Sequence, residues 1–260
     1  MLLAININNT ETKVGLFRSD SLEAHWRLTT TPSRTPDEWA ATLTSYLAQE
    51  GRSTQEVRAA VVASVVPPVT QGLCEAVERA TTVRPVVVDG RSRLPIKLDV
   101  EEPLQVGADR ILNTLAAAQL FHRDTIVVDF GTATTFDVVN SSGAYAGGII
   151  APGINLSLDA LVSAAAKLPR IAIEAPESNS VIGRTTDSQM LIGIYWGYVA
   201  MIEGLTERIK REIGRSITVI ATGGLATLFG QHTNLFDAIE PDLTIQGLSQ
   251  LYDLTMRNSR

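Results

Sequence analysis

The feature of this sequence that most limits its fold is an internal repeat. The stretch LAININNTETKVGL, residues 3–16, can be laid without gaps over IVVDFGTATTFDVV, residues 126–139, at an offset of 123 in a chain of 260 residues. Each stretch is an apolar, β-branched run, a short polar turn and a second apolar run, which predicts a strand–turn–strand hairpin. Two such hairpins half a chain apart predict a duplicated, two-lobed fold.

The overlay pairs three polar positions of the two copies: Asn6 with Asp129, Asn8 with Gly131, and Thr12 with Thr135. It therefore predicts an acid at position 6, where the chain has asparagine. Asn8 stands where the second copy has glycine, and asparagine tolerates left-handed backbone angles better than most residues. We expect Asn8 to fill the role of that glycine.

The second copy has the residue types of a phosphate-binding hairpin. The predicted strand at residues 126–129 ends on Asp129, Gly131 permits a tight turn, and Thr132, Thr134 and Thr135 bring hydroxyls to it. A carboxylate can hold a cation while backbone N–H groups and hydroxyls approach phosphate oxygens, so this pattern suits a metal–triphosphate clamped between two lobes. The alternative is an ordinary hairpin with a surface aspartate.

Composition argues against several classes of protein. The net charge of −6, with both signs interspersed, argues against a nucleic-acid surface. No apolar run is long enough for a membrane span, and no leader is expected before residue 1. The one cysteine, Cys74, excludes an intramolecular disulfide, and the three histidines lack metal-ligand spacing. We expect a globular cytoplasmic protein with no nucleic-acid or membrane partner.

The predicted elements of the first half run strand, strand, strand, helix, strand, helix, strand, which fits an α/β lobe with a mixed sheet. The strands are predicted at residues 2–7, 13–18, 24–30, 61–66 and 85–88, and the helices at 35–49 and 69–80. Residues 91–106 contain two prolines and are predicted to form a loop over the cleft. Later elements are predicted helices at 107–121, 154–168 and 186–213 and a strand at 216–221.

Three further stretches each allow a functional and a structural interpretation. Asp109 and Arg110 at a predicted helix start suit a general base beside an anion binder, or a helix-dipole partner and a solvated cation. Gly223 and Gly224, between a strand and a helix, let a flat ring lie on the backbone, or form a plain turn. The apolar stripe of 186–213, with three aromatic residues, is more typical of a core or a subunit interface than of a cofactor site.

Taken in order, several motifs resemble those of one known family. They are ASVVPP (63–68), VGADR (106–110), DFGTATTFDVV (129–139), GGIIAPG (147–153), SLDAL (157–161), AAKLPR (165–170), IGRTT (182–186), GIYWGYV (193–199) and ATGGLA (221–226). On these motifs the chain resembles the type III pantothenate kinases, a branch of the acetate and sugar kinase/Hsp70/actin (ASKHA) superfamily. The resemblance runs nearly end to end.

The resemblance implies two RNase H-like lobes, a duplicated ASKHA or actin-like ATPase fold, with the active site in the cleft between them. The lobes are expected at residues 1–117 and 118–260. The implied activity is ATP-dependent phosphorylation of pantothenate, the first step of coenzyme A biosynthesis. Mg²⁺ and a monovalent cation, K⁺ or NH₄⁺, are the implied cofactors beside ATP, and the implied assembly is a homodimer.

Site residues follow from the resemblance position by position. Asp109 matches the base that accepts the proton of the substrate hydroxyl. The pantothenate contacts match Val100, Gly107, Ala108, Asp109, Arg110 and Thr186. The ATP contacts match the first phosphate loop, Asn6, Ile7, Asn8, Asn9, Thr10, Glu11, Thr12 and Lys13, together with Thr132 and the adenosine-side glycines Gly223 and Gly224. Asp129 matches the monovalent-cation ligand, and Asn6 stands at the position expected to serve the metal.

Two departures from the family pattern keep other functions open. The family has Asp at position 6 and often Gly at position 8, and an aromatic residue often stands where this chain has Val100. A hard divalent cation prefers a carboxylate, so the sequence predicts weakened activity, and a gain in kcat/KM of roughly ten- to a hundredfold for Asn6→Asp. The alternatives are a non-catalytic nucleotide- or pantothenate-binding regulator, or a related kinase with another acceptor.

Overall fold

A computed structural model describes residues 1–88, 95–165, 167–176 and 180–257. The chain divides into two compact units, of which the first is Met1–Ala116 together with the segment that begins at Leu243, and the second is Ala117–Asp242. This differs from the expected lobes at 1–117 and 118–260 because the C-terminal segment packs with the first unit. Among the described residues, no helix combines the length and the apolar character needed to cross a bilayer.

The first unit is built on a five-stranded mixed sheet. Its strands are β1 (Leu2–Ile7), β2 (Glu11–Arg18), β3 (Ser21–Thr29), β4 (Ala59–Ser64) and β5 (Val86–Val88), in the order β3-β2-β1-β4-β5. β1, β2 and β3 are antiparallel neighbours, whereas β4 and β5 run parallel to β1. The helices are α1 (Pro36–Gln49), α2 (Pro67–Thr81) and α3 (Ala108–Phe121), the last of which continues into the second unit.

Both faces of this sheet are covered. The alternate residues Leu3, Ile5 and Ile7 of β1 pack with α1 and α2 in one core. Leu2 and Ala4 point to the opposite face, where α3 packs together with the last helix, α7 (Leu243–Arg257). The two helices approach closely, since a Cβ at position 247 would lie 2.1 Å from the Leu112 carbonyl oxygen. This packing explains why the C-terminal segment belongs to the first unit.

The second unit repeats this sheet. Its strands are β6 (Thr125–Phe130), β7 (Ala133–Val139), β8 (Tyr145–Pro152), β9 (Thr218–Gly223) and β10 (Ala238–Ile239), in the order β10-β9-β6-β7-β8. With β6 matched to β1, the strand order and directions are those of the first unit. The helices are α4 (Ile154–Ala164), α5 (Thr186–Ile213) and α6 (Ala226–Gly230). The predicted α/β class and duplication are confirmed.

The gapless overlay is wrong within the turns. β1 and β6 begin and end at corresponding positions, but Ile7 pairs with Thr12 and Phe130 pairs with Thr134. The second turn is therefore one residue shorter than the first. Thr12 corresponds to Thr134 and not to Thr135, and Lys13 takes the place of Thr135.

Other elements differ from prediction in extent. The helix expected to reach residue 168 ends at Ala164, because its buried side chains, Ile154 and Leu158, lie in its first half and tertiary packing stabilises only that part. α7 was not predicted. Within the predicted loop 91–106, residues 91–94 lie outside the described residues, and Pro103–Gln105 form one 3-10 turn.

Candidate functional site

The turn between β1 and β2 is tied down by Thr30, at the end of β3. The Thr30 N–H donates to the Thr10 carbonyl at 3.0 Å, and its hydroxyl donates to the Asn8 carbonyl at 2.7 Å. The Thr30 hydroxyl also lies 2.9 Å from that of Thr12, which is fully buried. Asn9 and Thr10 remain exposed at the tip. The predicted phosphate loop is thus held in one conformation while its tip faces solvent.

The expectation that Asn8 mimics a left-handed glycine is wrong. Outside glycine, the described residues with positive φ are Ser19, Thr82 and His122, and Gly131 does not have positive φ either. The Asn8 N–H closes the turn by donating to the Glu11 carbonyl at 3.0 Å. Because neither turn needs a left-handed residue here, asparagine replaces glycine without backbone strain.

One polar row crosses the first sheet. Asn6 pairs with Lys13 on β2, and Lys13 pairs with Arg27 on β3, so all three side chains share one face. Asn6 is 2% exposed, and its Nδ2 has no hydrogen-bond partner among the described residues. Lys13 is 8% exposed, whereas Arg27 is exposed and lies 3.8 Å from the Glu11 carboxylate.

The GADR segment forms the first turn of α3. The Asp109 carboxylate accepts the Arg110 backbone N–H through Oδ1 at 2.9 Å, and the Ile111 N–H donates to the Gly107 carbonyl. A Cβ at position 107 would lie 2.7 Å from that Oδ1, so glycine makes room for the carboxylate. Ala108, Asp109 and Arg110 are half-buried, as is Val100 on the preceding segment.

In the second unit, Asp129 lies at the end of β6, between Thr135 of β7 and Thr222 of β9 in the sheet register. Gly223 has φ +91°, and a Cβ there would lie 2.6 Å from Asp129 Oδ1. Only glycine therefore fits between this backbone and the carboxylate. Gly224, the next residue, is exposed.

The second turn is held in a manner comparable to the first. Thr134, the structural counterpart of Thr12, is fully buried and hydrogen-bonds through its hydroxyl to Tyr198 of α5. Burial raises the pKa of the Tyr198 phenol, so it stays protonated and able to donate. The Thr132 carbonyl accepts the Gly153 N–H at 3.2 Å, and the Thr132 side chain is exposed.

Comparison with known proteins decides the family. A family model described as type III pantothenate kinase matches residues 2–208. The chain belongs to the type III pantothenate kinase family. Relatives of that name include one from Rhizorhabdus wittichii, 58% identical over 97% of this chain and 98% of its own length. Another from Sphingopyxis alaskensis is 54% identical with the same coverage.

A solved structure with low sequence identity shares the fold of this chain. The activator of the 2-hydroxyisocaproyl-CoA dehydratase from Clostridium difficile, with bound ADPNP, superposes with a TM-score of 0.55. It is 10% identical and covers 99% of this chain and 96% of its own. The two proteins share one fold over nearly their full lengths.

The structure also shows two buried polar residues beside Asp129 that the motifs did not single out. Asp137 is fully buried two residues after Thr135, whose hydroxyl donates to Asp137 Oδ2 at 3.1 Å. Thr222 is fully buried, and its Oγ1 has no hydrogen-bond partner among the described residues. Strand alternation places both on the Asp129 face of the sheet. An acid between Phe136 and Val138 was the available sequence signal for Asp137.

Thr186 lies in the first turn of α5. It lines an open pocket of about 420 Å³ with Leu161, Leu168, Gln189, Met190, Gly193 and Ile194. Of the three aromatic residues farther along α5, Tyr195 and Tyr198 are buried in the core of the second unit, and Trp196 packs at its margin. For the two tyrosines, the interpretation as core residues is confirmed.

Proposed function

We propose that this chain transfers the γ-phosphoryl group of ATP to the primary hydroxyl of pantothenate, giving 4′-phosphopantothenate as the first step of coenzyme A biosynthesis. Its family membership supports this activity. The observation that carries the proposal is the arrangement of Asp109, a carboxylate held at a helix start by the Arg110 N–H and accommodated by Gly107. These are the matching positions of the family's base and its substrate-binding segment.

Asp109 is the proposed general base. Its Oδ1 accepts the Arg110 N–H, whereas within the described part of the chain Oδ2 accepts no hydrogen bond. Oδ2 is therefore the oxygen that takes the proton of the substrate hydroxyl as that oxygen attacks phosphorus. Phosphoryl transfer depends mainly on positioning and charge neutralisation, so a carboxylate fixed through one oxygen suits the reaction. Ala108, Arg110, Val100 and Thr186 are the further proposed pantothenate contacts.

Asp129 is the proposed ligand of a monovalent cation, K⁺ or NH₄⁺. The residues around it fit a cation, because the half-buried carboxylate is flanked by Thr135 and by the buried Thr222 hydroxyl. Thr132, Gly223 and Gly224 are proposed to contact the nucleotide on this unit, and residues 6–13 on the other. Mg²⁺, carried in with the ATP phosphates, would supply charge neutralisation there.

The test is a coupled assay of ADP formation with pantothenate, Mg-ATP and K⁺ or NH₄⁺. We expect ADP formation that requires pantothenate and is stimulated by the monovalent cation. A chain that binds ATP but forms no ADP with pantothenate would contradict the proposal and favour the regulator or another acceptor. We further propose a cytoplasmic homodimer without nucleic-acid or membrane partners. The net charge of −6 supports the absence of a nucleic-acid partner.

A further inference from the structure

The polar row of the first sheet places two cations directly opposite one another. Lys13 and Arg27 are cross-strand partners, and like charges in such positions destabilise a sheet. Arg27 has the Glu11 carboxylate at 3.8 Å and is exposed. Lys13 is 8% exposed, and no hydrogen bond or ion pair involves its ammonium within the described part of the chain. A lysine is rarely so buried without a counter-charge.

Asn6 presents a second donor on the same face. Its side chain is 2% exposed, and its Nδ2 lacks an acceptor among the described residues. Its cross-strand partner is Lys13. The buried Asn6 amide N–H₂ and the ammonium of the largely buried Lys13 are both donors. An anion with several acceptor oxygens satisfies both at once.

A divalent cation does not fit this position. Such ions take carboxylate and carbonyl oxygens, and the Asn6 amide stands beside the positive charge of Lys13. The described residues contain no group of three or more His, Cys, Asp or Glu side chains able to hold a metal ion. Where the family has Asp at position 6, this chain therefore has Asn6 together with the positively charged Lys13 on the neighbouring strand.

We infer that Asn6 and Lys13 form an anion subsite that holds a phosphate group of the nucleotide through a fixed positive charge, without a carboxylate-held divalent cation. The identity of the anion as a nucleotide phosphate rests on the proposed function. A carboxylate at position 6 would pair with Lys13 and repel the phosphate. Asn6→Asp thus weakens nucleotide binding, which is opposite in sign to the gain predicted from the repeat and the family pattern.

The experiment is calorimetric titration of the intact chain with ATP and with inorganic tripolyphosphate, each in EDTA and in Mg²⁺. We expect wild-type affinity for ATP in EDTA to lie within about threefold of that in Mg²⁺. Lys13→Gln and Asn6→Asp should each weaken binding in EDTA by about tenfold or more, as expected for the loss of a charge-assisted contact. Lys210→Gln, the same change on α5 of the second unit, is the matched control and should bind as wild type.

Thermal unfolding without ligand separates this role from a structural one. Lys13→Gln removes a like charge opposite Arg27, and Asn6→Asp gives Lys13 a counter-ion, so both variants should melt at or above the wild-type temperature while losing affinity. A variant that melts well below wild type would contradict the subsite, because Asn6 and Lys13 would then stabilise the empty fold.

The binding outcomes also separate the subsite from the kinase activity. Unchanged ATP affinity of Lys13→Gln in EDTA, or tighter Mg-ATP binding by Asn6→Asp, would overturn the subsite. If the wild-type chain binds ATP in Mg²⁺ but not in EDTA, the subsite is also overturned, while the kinase proposal stays intact. Binding of tripolyphosphate without ATP would support the subsite and count against the kinase, and binding of neither ligand would overturn both.

Discussion

At the scale of single residues, the first turn of α3 places the proposed base, Asp109, next to Gly107, which has no side chain to displace its carboxylate. Asp109 Oδ1 is fixed by the Arg110 N–H, and Gly107 leaves no side chain in its path. A carboxylate in the first turn of a helix is also favoured by the helix dipole. The orientation of Asp109 is therefore set by its immediate neighbours.

The role of Asp109 as base predicts a specific kinetic effect. Asp109→Asn keeps the shape but cannot accept the proton, so turnover should fall by about 10²–10⁴-fold. ATP affinity, measured by titration, should change little, and the exposed Glu101→Gln serves as control. Near-normal turnover of Asp109→Asn would remove it from the base role.

A side chain at position 107 should also lower turnover, because it would displace the Asp109 carboxylate. The Cβ of Gly107→Ala would lie 2.7 Å from Asp109 Oδ1, so the carboxylate has to move. We expect turnover to fall by about tenfold, since small misplacements of reacting groups are costly. The control is Gly204→Ala on α5, where the new methyl meets nothing within 4 Å. Equal turnover of the two variants would show that Gly107 is not needed to position Asp109.

At the scale of elements, an ion pair between the buried Asp124 and the exposed Arg215 joins the start of the second hairpin to the segment after α5. Arg215 donates to Asp124 through Nε at 2.5 Å and Nη2 at 2.8 Å, and the Ser141 N–H donates to the same carboxylate. The Arg215 hydrogen bonds hold the pKa of the Asp124 carboxyl below its usual value. This carboxylate therefore stabilises the folded second unit when ionised.

Asp124→Asn should lower the free energy of unfolding near neutral pH by about 1–3 kcal/mol, as for the loss of a partly buried charged hydrogen bond. Because the folded pKa is depressed, the contribution is present above the ordinary value of 3.8 and is lost as the pH falls through the lowered value. Urea unfolding between about pH 7 and about pH 3 should show the wild-type advantage shrinking on acidification.

Asp159→Asn is the control for that measurement. Asp159 pairs with Arg170 in the same unit, but both side chains are largely exposed. Exposed ion pairs contribute about 0–1 kcal/mol, so this variant should unfold almost as wild type does. A wild-type advantage over Asp124→Asn that does not vary with pH would contradict the assigned role of the ionised carboxylate.

These elements also show where prediction from the sequence succeeds. β1 and β6 were predictable because a strand of β-branched residues is a local pattern, and α5 because its apolar spacing spans its whole length. The register of each hairpin was not predictable, since one residue of turn length decides whether Thr12 matches Thr134 or Thr135. The alignment of Asn6, Lys13 and Arg27 across the sheet depends on that register. The packing of α7 on the first sheet is a long-range contact with no local signal.

At the scale of the whole molecule, the duplicated hairpins have acquired opposite electrostatic character. In the first copy, Asn6 stands opposite Lys13, so the strand pair presents N–H donors and a positive charge. In the second, Asp129 stands opposite Thr135, so the equivalent pair presents a carboxylate and a hydroxyl. One copy therefore suits an anion and the other a cation, which are the two charge types that the proposed phosphoryl transfer with a monovalent cation would require.

The tyrosines of α5 do not form the surface through which two copies of the chain would associate. Tyr195 and Tyr198 of α5 are core residues and provide no surface for a partner. The second unit instead exposes apolar side chains next to α5, on α4 and on the segment before α5: Leu156, Leu161, Val181 and Ile182. Val181 and Ile182 are 67% and 77% exposed. Neighbouring apolar side chains with this exposure form a patch, and such patches are typical of protein–protein contacts.

We therefore expect a homodimer whose contact includes this apolar surface and the start of α5. Leu156→Glu combined with Ile182→Glu should shift the chain to monomers in sedimentation, because burying two carboxylates in an apolar contact is costly. Leu104→Glu is the matched control, since Leu104 is 85% exposed but lies in the first unit. A wild-type chain that sediments as a monomer at micromolar concentration would contradict the dimer. Dimers that survive the double change would move the contact to another surface.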